Sequence, residues 1–229
     1  MSHILQEYAK SCGVKIGNPV FNALFYPIQF QKYIVLHHST CNATTYDHWN
    51  ILLTILKPYI EKENIKVVQI LEKNSTPIVL ADKHIDCSKK QAAFIISKCL
   101  CFIGTDSVFS NIAGQFNVPS INLYSHTNPQ NTKPWVFNKK SIFISSLRNE
   151  KKPSYDPNEN PKTINNIFPE EIAKNILNIL NIKRKLKFKT IFIGSRYNEN
   201  CVDIIPKENC NIIHDNINIR MDLHHDEEV

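Results

Sequence analysis

The sequence predicts an α/β protein built on a parallel Rossmann-like sheet with helices on both faces. Short apolar runs recur along the chain, the clearest being Tyr33-Ile34-Val35-Leu36. Between them lie segments whose apolar residues repeat at helical spacing. The runs are nearly continuous rather than alternating, as expected of strands covered on both faces, and strand-helix alternation of this kind generates parallel sheets.

Residues 4–11 open the chain with a helical stripe of Ile4, Leu5, Tyr8 and Ala9, and Gly13 is placed to end that helix in the left-handed conformation. Pro19 and Pro27 punctuate an extended connector before the first strand, which ends at His37. Trp49, Leu52, Leu53 and Leu56 then recur at helical spacing, with Pro58 at the last turn. Val67, Val68 and Ile70 mark a second strand over 66–71, and 77–80 reads as a shorter, weaker one. Asp86 is placed to cap a helix over 88–98, whose Ala92, Ala93, Ile95 and Ile96 supply a buried face. A strand over 101–104, a helix over 107–116 and a strand over 120–124 follow.

Residues 150–161, rich in Pro, Asn, Asp and Lys, read as an exposed loop. Pro169 opens a final amphipathic helix carrying Ile172, Ile176, Leu177 and Leu180. The first domain is therefore set at 1–182, and 183–229 is read as a linker and a short, incomplete second α/β segment with strands over 190–194 and 202–205.

Composition narrows the function classes. With 229 residues and 42% hydrophobic content, the chain can bury one sizeable core and part of another. Its longest apolar runs fall well short of the roughly 20 residues a bilayer span needs, so no membrane span is expected. No secretory signal pattern is present at the N-terminus, and a cytoplasmic location is expected. Seven cysteines without a C-x-x-C pair read as reduced thiols. The charge of +6 is concentrated in 139–152 and 183–189 without interleaved aromatics, which favours solvated linkers over a nucleic-acid surface. No metal site is expected. His214, Asp222, His224 and His225 suggest one, but adjacent His224 and His225 would point in opposite directions on a strand.

Three turns fall at strand ends: His37-His38-Ser39-Thr40, residues 69–74, and Gly104-Thr105-Asp106-Ser107. In the last, small polar residues at a helix start leave backbone N–H groups free to meet phosphate oxygens, aided by the helix dipole. Asp106 has a second reading, as an N-cap for the amides of Val108 and Phe109. Ser39 and Thr40 likewise read either as phosphate contacts or as helix-entry turn residues. A dinucleotide-binding oxidoreductase is disfavoured, because no G-x-G-x-x-G follows the first strand and the chain has only 5 glycines.

The stretch from Phe102 to Ala113, with Val118-Pro119 beyond it, resembles the Gly-x-Asp-Ser/Thr-Gly-x-x-His-x-Ala…Pro pattern of the heptosyltransferase-like glycosyltransferases. His37-His38-Ser39-Thr40 followed by Tyr46 and Trp49, and Tyr124-Ser125-His126-Thr127-Asn128-Pro129 followed by Pro134-Trp135, are similar to flanking parts of the same pattern, so the resemblance runs from about Lys32 to Leu180. It implies one half of a GT-B fold, the nucleotide-sugar-binding half, with Ser39, Thr40, Asp106, Ser107 and Asn111 as the binding residues. The sequence departs from the pattern at Val108, where the family has Gly, at Asn111, where it has His, and near Thr44, where a Lys is missing; His37, His38 or Lys73 are the candidates to replace that cation.

The function implied is transfer of a sugar from a nucleotide-diphosphate donor to a glycan or lipopolysaccharide-like acceptor, with the donor as substrate and no further cofactor. The alternative is an inactive nucleotide- or sugar-binding module of the same fold. In the family the general base comes from an N-terminal domain. Met1 falls about where the interdomain linker would begin, so a partner domain or chain is expected to complete the cleft, and no catalytic residue is assigned within this sequence.

Overall fold

A computed structural model describes residues 2–39, 41–73, 75–148 and 152–186. Six strands form one sheet: β1 (Tyr33–His37), β2 (Lys66–Leu71), β3 (Lys83–Asp86), β4 (Phe102–Thr105), β5 (Ser120–Tyr124) and β6 (Ile142–Ser145). Their order is β3-β2-β1-β4-β5-β6, and every pairing is parallel. The helices are α1 (Ile4–Cys12), α2 (Trp49–Ile60), α3 (Lys89–Ser97), α4 (Val108–Gln115), the short α5 (Pro129–Thr132) and α6 (Pro169–Ile179).

Strand side chains alternate between two cores, as the pleat dictates. From β1, Ile34 and Leu36 join Leu52, Leu53 and Leu56 of α2 and Ile172 and Ile176 of α6. Tyr33 and Val35 point the other way, into Ala92 and Ile96 of α3 and Phe109 and Ile112 of α4. Apolar side chains cover both faces of the central strands, which is why their sequences read as nearly continuous hydrophobic runs.

Three expectations are corrected here. Residues 77–80 form no strand; Ile78 is buried but Val79 is 80% exposed, and the edge position falls to β3. Its Lys-His-Ile-Asp sequence buries only Ile85, so it lacks the apolar run that marks an interior strand. The cap of α3 is Ser88, not Asp86: Ser88 Oγ accepts the Gln91 N–H at 3.3 Å while Gln91 Oε1 accepts the Ser88 N–H at 3.1 Å. Within the basic stretch 139–152, read as a linker, β6 pairs with β5 from Ile121↔Ile142 to Tyr124↔Ser145.

The first helix ends as its sequence indicates, with Gly13 at φ +64°. Its apolar stripe, however, stays in solvent: Ile4, Leu5 and Tyr8 are 42%, 38% and 63% exposed. What holds this segment is His3, whose Nε2 lies 2.8 Å from the Lys133 carbonyl and whose ring meets Trp135 edge-on at 5.1 Å. Trp135 therefore serves as an anchor. The strands and the His-rich cluster expected beyond residue 186 lie outside the described residues.

Candidate functional site

The strand order fixes where a ligand fits best. From β1 the chain steps to β2 and β3 on one side, then crosses to β4, β5 and β6 on the other. In open parallel sheets the crevice at such a reversal, outside the carboxyl ends of the two central strands, is the usual binding position. Here it lies between the turn after β1 (His37-His38-Ser39) and the turn after β4 (Asp106-Ser107).

At the β4 turn, Ser107 is the residue that precedes α4, displacing Asp106 from the capping role by one position. Ser110 Oγ reaches back, accepting the Ser107 N–H at 3.3 Å and donating to its carbonyl at 2.6 Å. The Ser107 hydroxyl is buried at the cap, on the side of the Ser110 N–H. The first-turn amides of α4 have no carbonyl within their own helix, and the positive end of the helix dipole faces the crevice. Asp106 turns toward β5 instead, where its Oδ2 accepts the Thr127 hydroxyl at 2.9 Å. Asn111 is exposed and donates to the Ser107 carbonyl at 3.1 Å, so its amide braces the turn.

Gly104, two residues before Asp106, permits a close approach. A Cβ there would lie 2.9 Å from Cζ of Phe102 and 3.5 Å from Cβ of His37.

The β1 turn is more self-contained. Ser39 is buried; its Oγ lies 2.7 Å from Thr44 Oγ1 and accepts the Cys41 N–H at 3.2 Å. Thr45 closes the same turn, donating to the Cys41 carbonyl at 2.7 Å. Thr40 lies outside the described residues. Tyr46 and Trp49 meet edge-on at 5.0 Å in the core, and Tyr46 donates to the Ile167 carbonyl, so both pack rather than face a ligand.

The cation candidates divide. His37 Nε2 contacts Glu72 Oε2 at 3.2 Å, and that hydrogen bond holds the Glu72 carboxyl below its usual range. Burial pushes His38 down, helped by the charge of His37, so His38 is no ready replacement for the missing cation. Lys73 is exposed on the loop after β2.

Sequence reasoning missed a second feature at the same end of the sheet. An open cleft of about 590 Å³ lies over β5 and β6, with Ser125, Thr127, Ser146 and Arg148 in its wall. Arg148, read from sequence as part of a solvated basic run, is 13% exposed and pairs at 2.6 Å with Glu159, itself 7% exposed. It also donates to the Thr163 hydroxyl at 2.8 Å and the Ser125 carbonyl at 3.0 Å. Residues 152–161, expected to be an exposed loop, are exposed at most positions, but the Glu159 carboxylate turns in and ties the segment to Arg148, just beyond β6. Burial raises the Glu159 pKa, and hydrogen bonds from Thr163, Arg148 and Ser154 more than reverse that, leaving it below the usual carboxylate range.

Buried polar atoms without partners gather along this edge, among them His38 Nδ1, Thr105 Oγ1, Tyr124 OH, Ser146 Oγ and Arg148 Nε. Cys99 and Cys101, by contrast, are buried at the opposite end of β4, and burial pushes the Cys99 thiol up to about 12. Among the described residues no group of His, Cys, Asp or Glu is arranged to hold a metal ion, and no helix is long and apolar enough to cross a membrane.

The sequence model of glycosyltransferase family 9 (heptosyltransferase) matches residues 41–163, more than half of the chain. The chain belongs to glycosyltransferase family 9. The matched span begins just after the β1 turn, at Cys41, and contains the α4 turn and the Arg148–Glu159 pair of this family 9 chain.

Its fold is similar to that of E. coli ADP-heptose LPS heptosyltransferase II, with a TM-score of 0.51 and 14% identity over 77% of this chain and 50% of that one. It is similar to E. coli heptosyltransferase WaaC with ADP, with a TM-score of 0.50 and 13% identity over 76% and 54%. The iron-containing dodecameric glycosyltransferase TibC from enterotoxigenic E. coli gives a TM-score of 0.53 and 13% identity over 74% and 52%. The chain spans about half the length of each of these relatives. No curated protein sequence matches it.

Proposed function

We propose that this family 9 chain is a nucleotide-sugar-binding glycosyltransferase domain that holds its donor in the crevice between the β1 and β4 turns, for transfer to a glycan acceptor. The observation that carries this reading is the reversal of strand order at β1/β4, with the amino end of α4 beside it. As the bond from sugar to diphosphate breaks, negative charge grows on the leaving oxygens. Fixed N–H dipoles at the start of α4 stabilise that charge without having to reorient.

Asp106 suits a different task. A carboxylate beside a diphosphate is repelled by it, yet the same group accepts hydrogen bonds from sugar hydroxyls, and Thr127 fixes its orientation for that. Asp106 is therefore assigned to the sugar and Ser107 with the α4 amides to the phosphates. Ser39 supports the shape of the β1 turn through Thr44 and Cys41, and Asn111 supports the α4 turn through the Ser107 carbonyl. The general base and the acceptor's reactive hydroxyl are assigned to a partner domain or chain facing this edge.

Isothermal titration calorimetry with ADP, UDP and their sugar conjugates tests the reading. TibC has been solved in complex with ADP-D-β-D-heptose, which makes ADP-sugars the first probes. Binding of a nucleotide sugar that weakens in Asp106→Ala, with ADP alone less affected, is the expected result. Failure of every nucleotide to bind overturns it.

A further inference from the structure

The amino edge of the sheet, opposite the β1/β4 crevice, carries a row of cations. Lys66 opens β2, and its N–H donates at 3.0 Å to the carbonyl of Lys32, the residue before β1. Lys98 ends α3 next to them, just ahead of Leu100, whose N–H donates to the Tyr33 carbonyl. Lys139 and Lys140 lead into β6, on a turn tied to the approach to β5 by the bond from Asn138 Nδ2 to the Asn117 carbonyl at 2.7 Å. The row therefore runs from β2 to β6, about 20 Å at ordinary strand spacing. Lys183-Arg184-Lys185 joins it beside the end of α2, where the Tyr59 hydroxyl donates to the Lys185 carbonyl at 3.2 Å. Two basic stretches that read from sequence as separate solvated linkers are brought to one edge by the fold.

Lys32, Lys98, Lys139 and Lys140 are exposed, and none of them is in an ion pair among the described residues. The carboxylates near this edge, Glu61, Glu63 and Asp82, stand on its β2 and β3 side, where Lys57 pairs with Asp82 at 3.4 Å and Glu61 at 3.9 Å. Lys98 answers the carbonyl end of α3. Lys32, Lys139 and Lys140 stand at no helix end, so helix dipoles do not account for them. Two apolar side chains reach solvent in the same row, Leu100 at 39% and Phe137 at 37% exposed. A nucleic acid calls for a groove floored by several stacking aromatics. A flat row of lysines with isolated apolar side chains instead matches the headgroup layer of an anionic bilayer, which takes up both. We propose that this amino edge is a peripheral docking surface for an anionic lipid bilayer. Each cation near such a surface raises affinity about fivefold, so a row of them acts strongly together. The strands then point away from the bilayer and the carboxyl edge stays open to water. The proposal does not rest on the transferase reading.

Vesicle co-sedimentation of the full chain tests this, with vesicles of phosphatidylcholine alone and of phosphatidylcholine mixed equally with phosphatidylglycerol. The edge variants are Lys32→Glu with Lys98→Glu, and Lys139→Glu with Lys140→Glu. The control, Lys89→Glu with Lys90→Glu, makes the same change of charge at exposed positions on the amino end of α3, at the opposite edge. Urea midpoints verify that each variant is folded, and the second edge variant touches no helix end. Binding is expected to the mixed vesicles and not to phosphatidylcholine, and to weaken as salt is added. Affinity is expected to fall by about 25-fold or more in each edge variant and far less in the control. Failure to bind the mixed vesicles, undiminished binding in both edge variants, or an equal loss in the control overturns the proposal. Tighter binding to a DNA or RNA oligonucleotide than to the vesicles also overturns it.

Discussion

Thr127, on the turn after β5, gives its hydroxyl proton to the Asp106 carboxylate, on the turn after β4, across 2.9 Å. This bond is the side-chain link between the crevice at the sheet's centre and the cleft beside it. Thr127→Val keeps the shape and deletes the donor. A hydrogen bond to a charged group contributes about 1.5–3 kcal/mol net. The urea midpoint of the variant is expected to fall accordingly, and its affinity for a nucleotide sugar, measured by calorimetry, to fall more than its affinity for ADP.

Gly114 sits where α4 touches the loop after α5. A Cβ at this position would fall on the Val136 carbonyl oxygen and lie 3.1 Å from Cβ of Pro134, so backbone must move to admit it. Gly114→Ala gains helix propensity but is expected to lose about 1–3 kcal/mol through overpacking. Chemical denaturation reads the sign directly.

The Arg148–Glu159 pair sets an acid limit. Because the folded pKa of Glu159 is depressed, its contribution is complete above the unfolded carboxylate value of about 4.3 and is lost as pH falls through the folded value. Glu159→Gln is expected to flatten the stability profile below about pH 5. Arg148→Met, which strands a buried carboxylate, is expected to cost about 3 kcal/mol at neutral pH. Denaturation midpoints from acid to neutral pH check both.

Three half-buried histidines act in a different window. Burial lowers the pKa of His38, His48 and His126 in the folded protein. Between the lowered folded values and the unfolded value of about 6.5 the unfolded chain binds more protons, so stability rises with pH across that interval and levels off above it. NMR titration of the imidazole carbons is expected to place all three midpoints below that of a free histidine. A midpoint at or above the free value for His126 would contradict the assignment of burial as its dominant influence.

The parts of the fold legible in the sequence are those where one local signal decides. β1, β2 and β5 read as strands because both faces are covered and their runs are mostly apolar, with only Gln69 inside β2 and Ser120 and Asn122 in β5, and Gly13 has only one use after a helix. β3 and β6 escaped because edge strands bury little: Ile85 alone in one and Ile144 in the other fall below a tenth exposed, and lysines flank both. The turn after β4 was located from its small polar residues, but which of Asp106 and Ser107 precedes the helix depends on where β5 offers a partner, and Thr127 lies 21 residues away. Arg148 and Glu159 looked like solvent-facing charges for the same reason. Their mutual burial is a property of the folded loop, and nothing in the spacing of 11 residues announces it.

The central position of β1 also constrains how the chain can be cut. Val35 and Leu36 pair with Phe102 and Ile103, so one side of this fully buried strand stays open until a segment some 65 residues downstream arrives. Peptides or nascent chains that stop before β4 present a bare ladder of amides and carbonyls flanked by isoleucine, valine and leucine, a template for pairing with the wrong neighbour. Truncations ending near residue 100 are expected to aggregate, and any dissection of this protein must keep β1 and β4 in one piece.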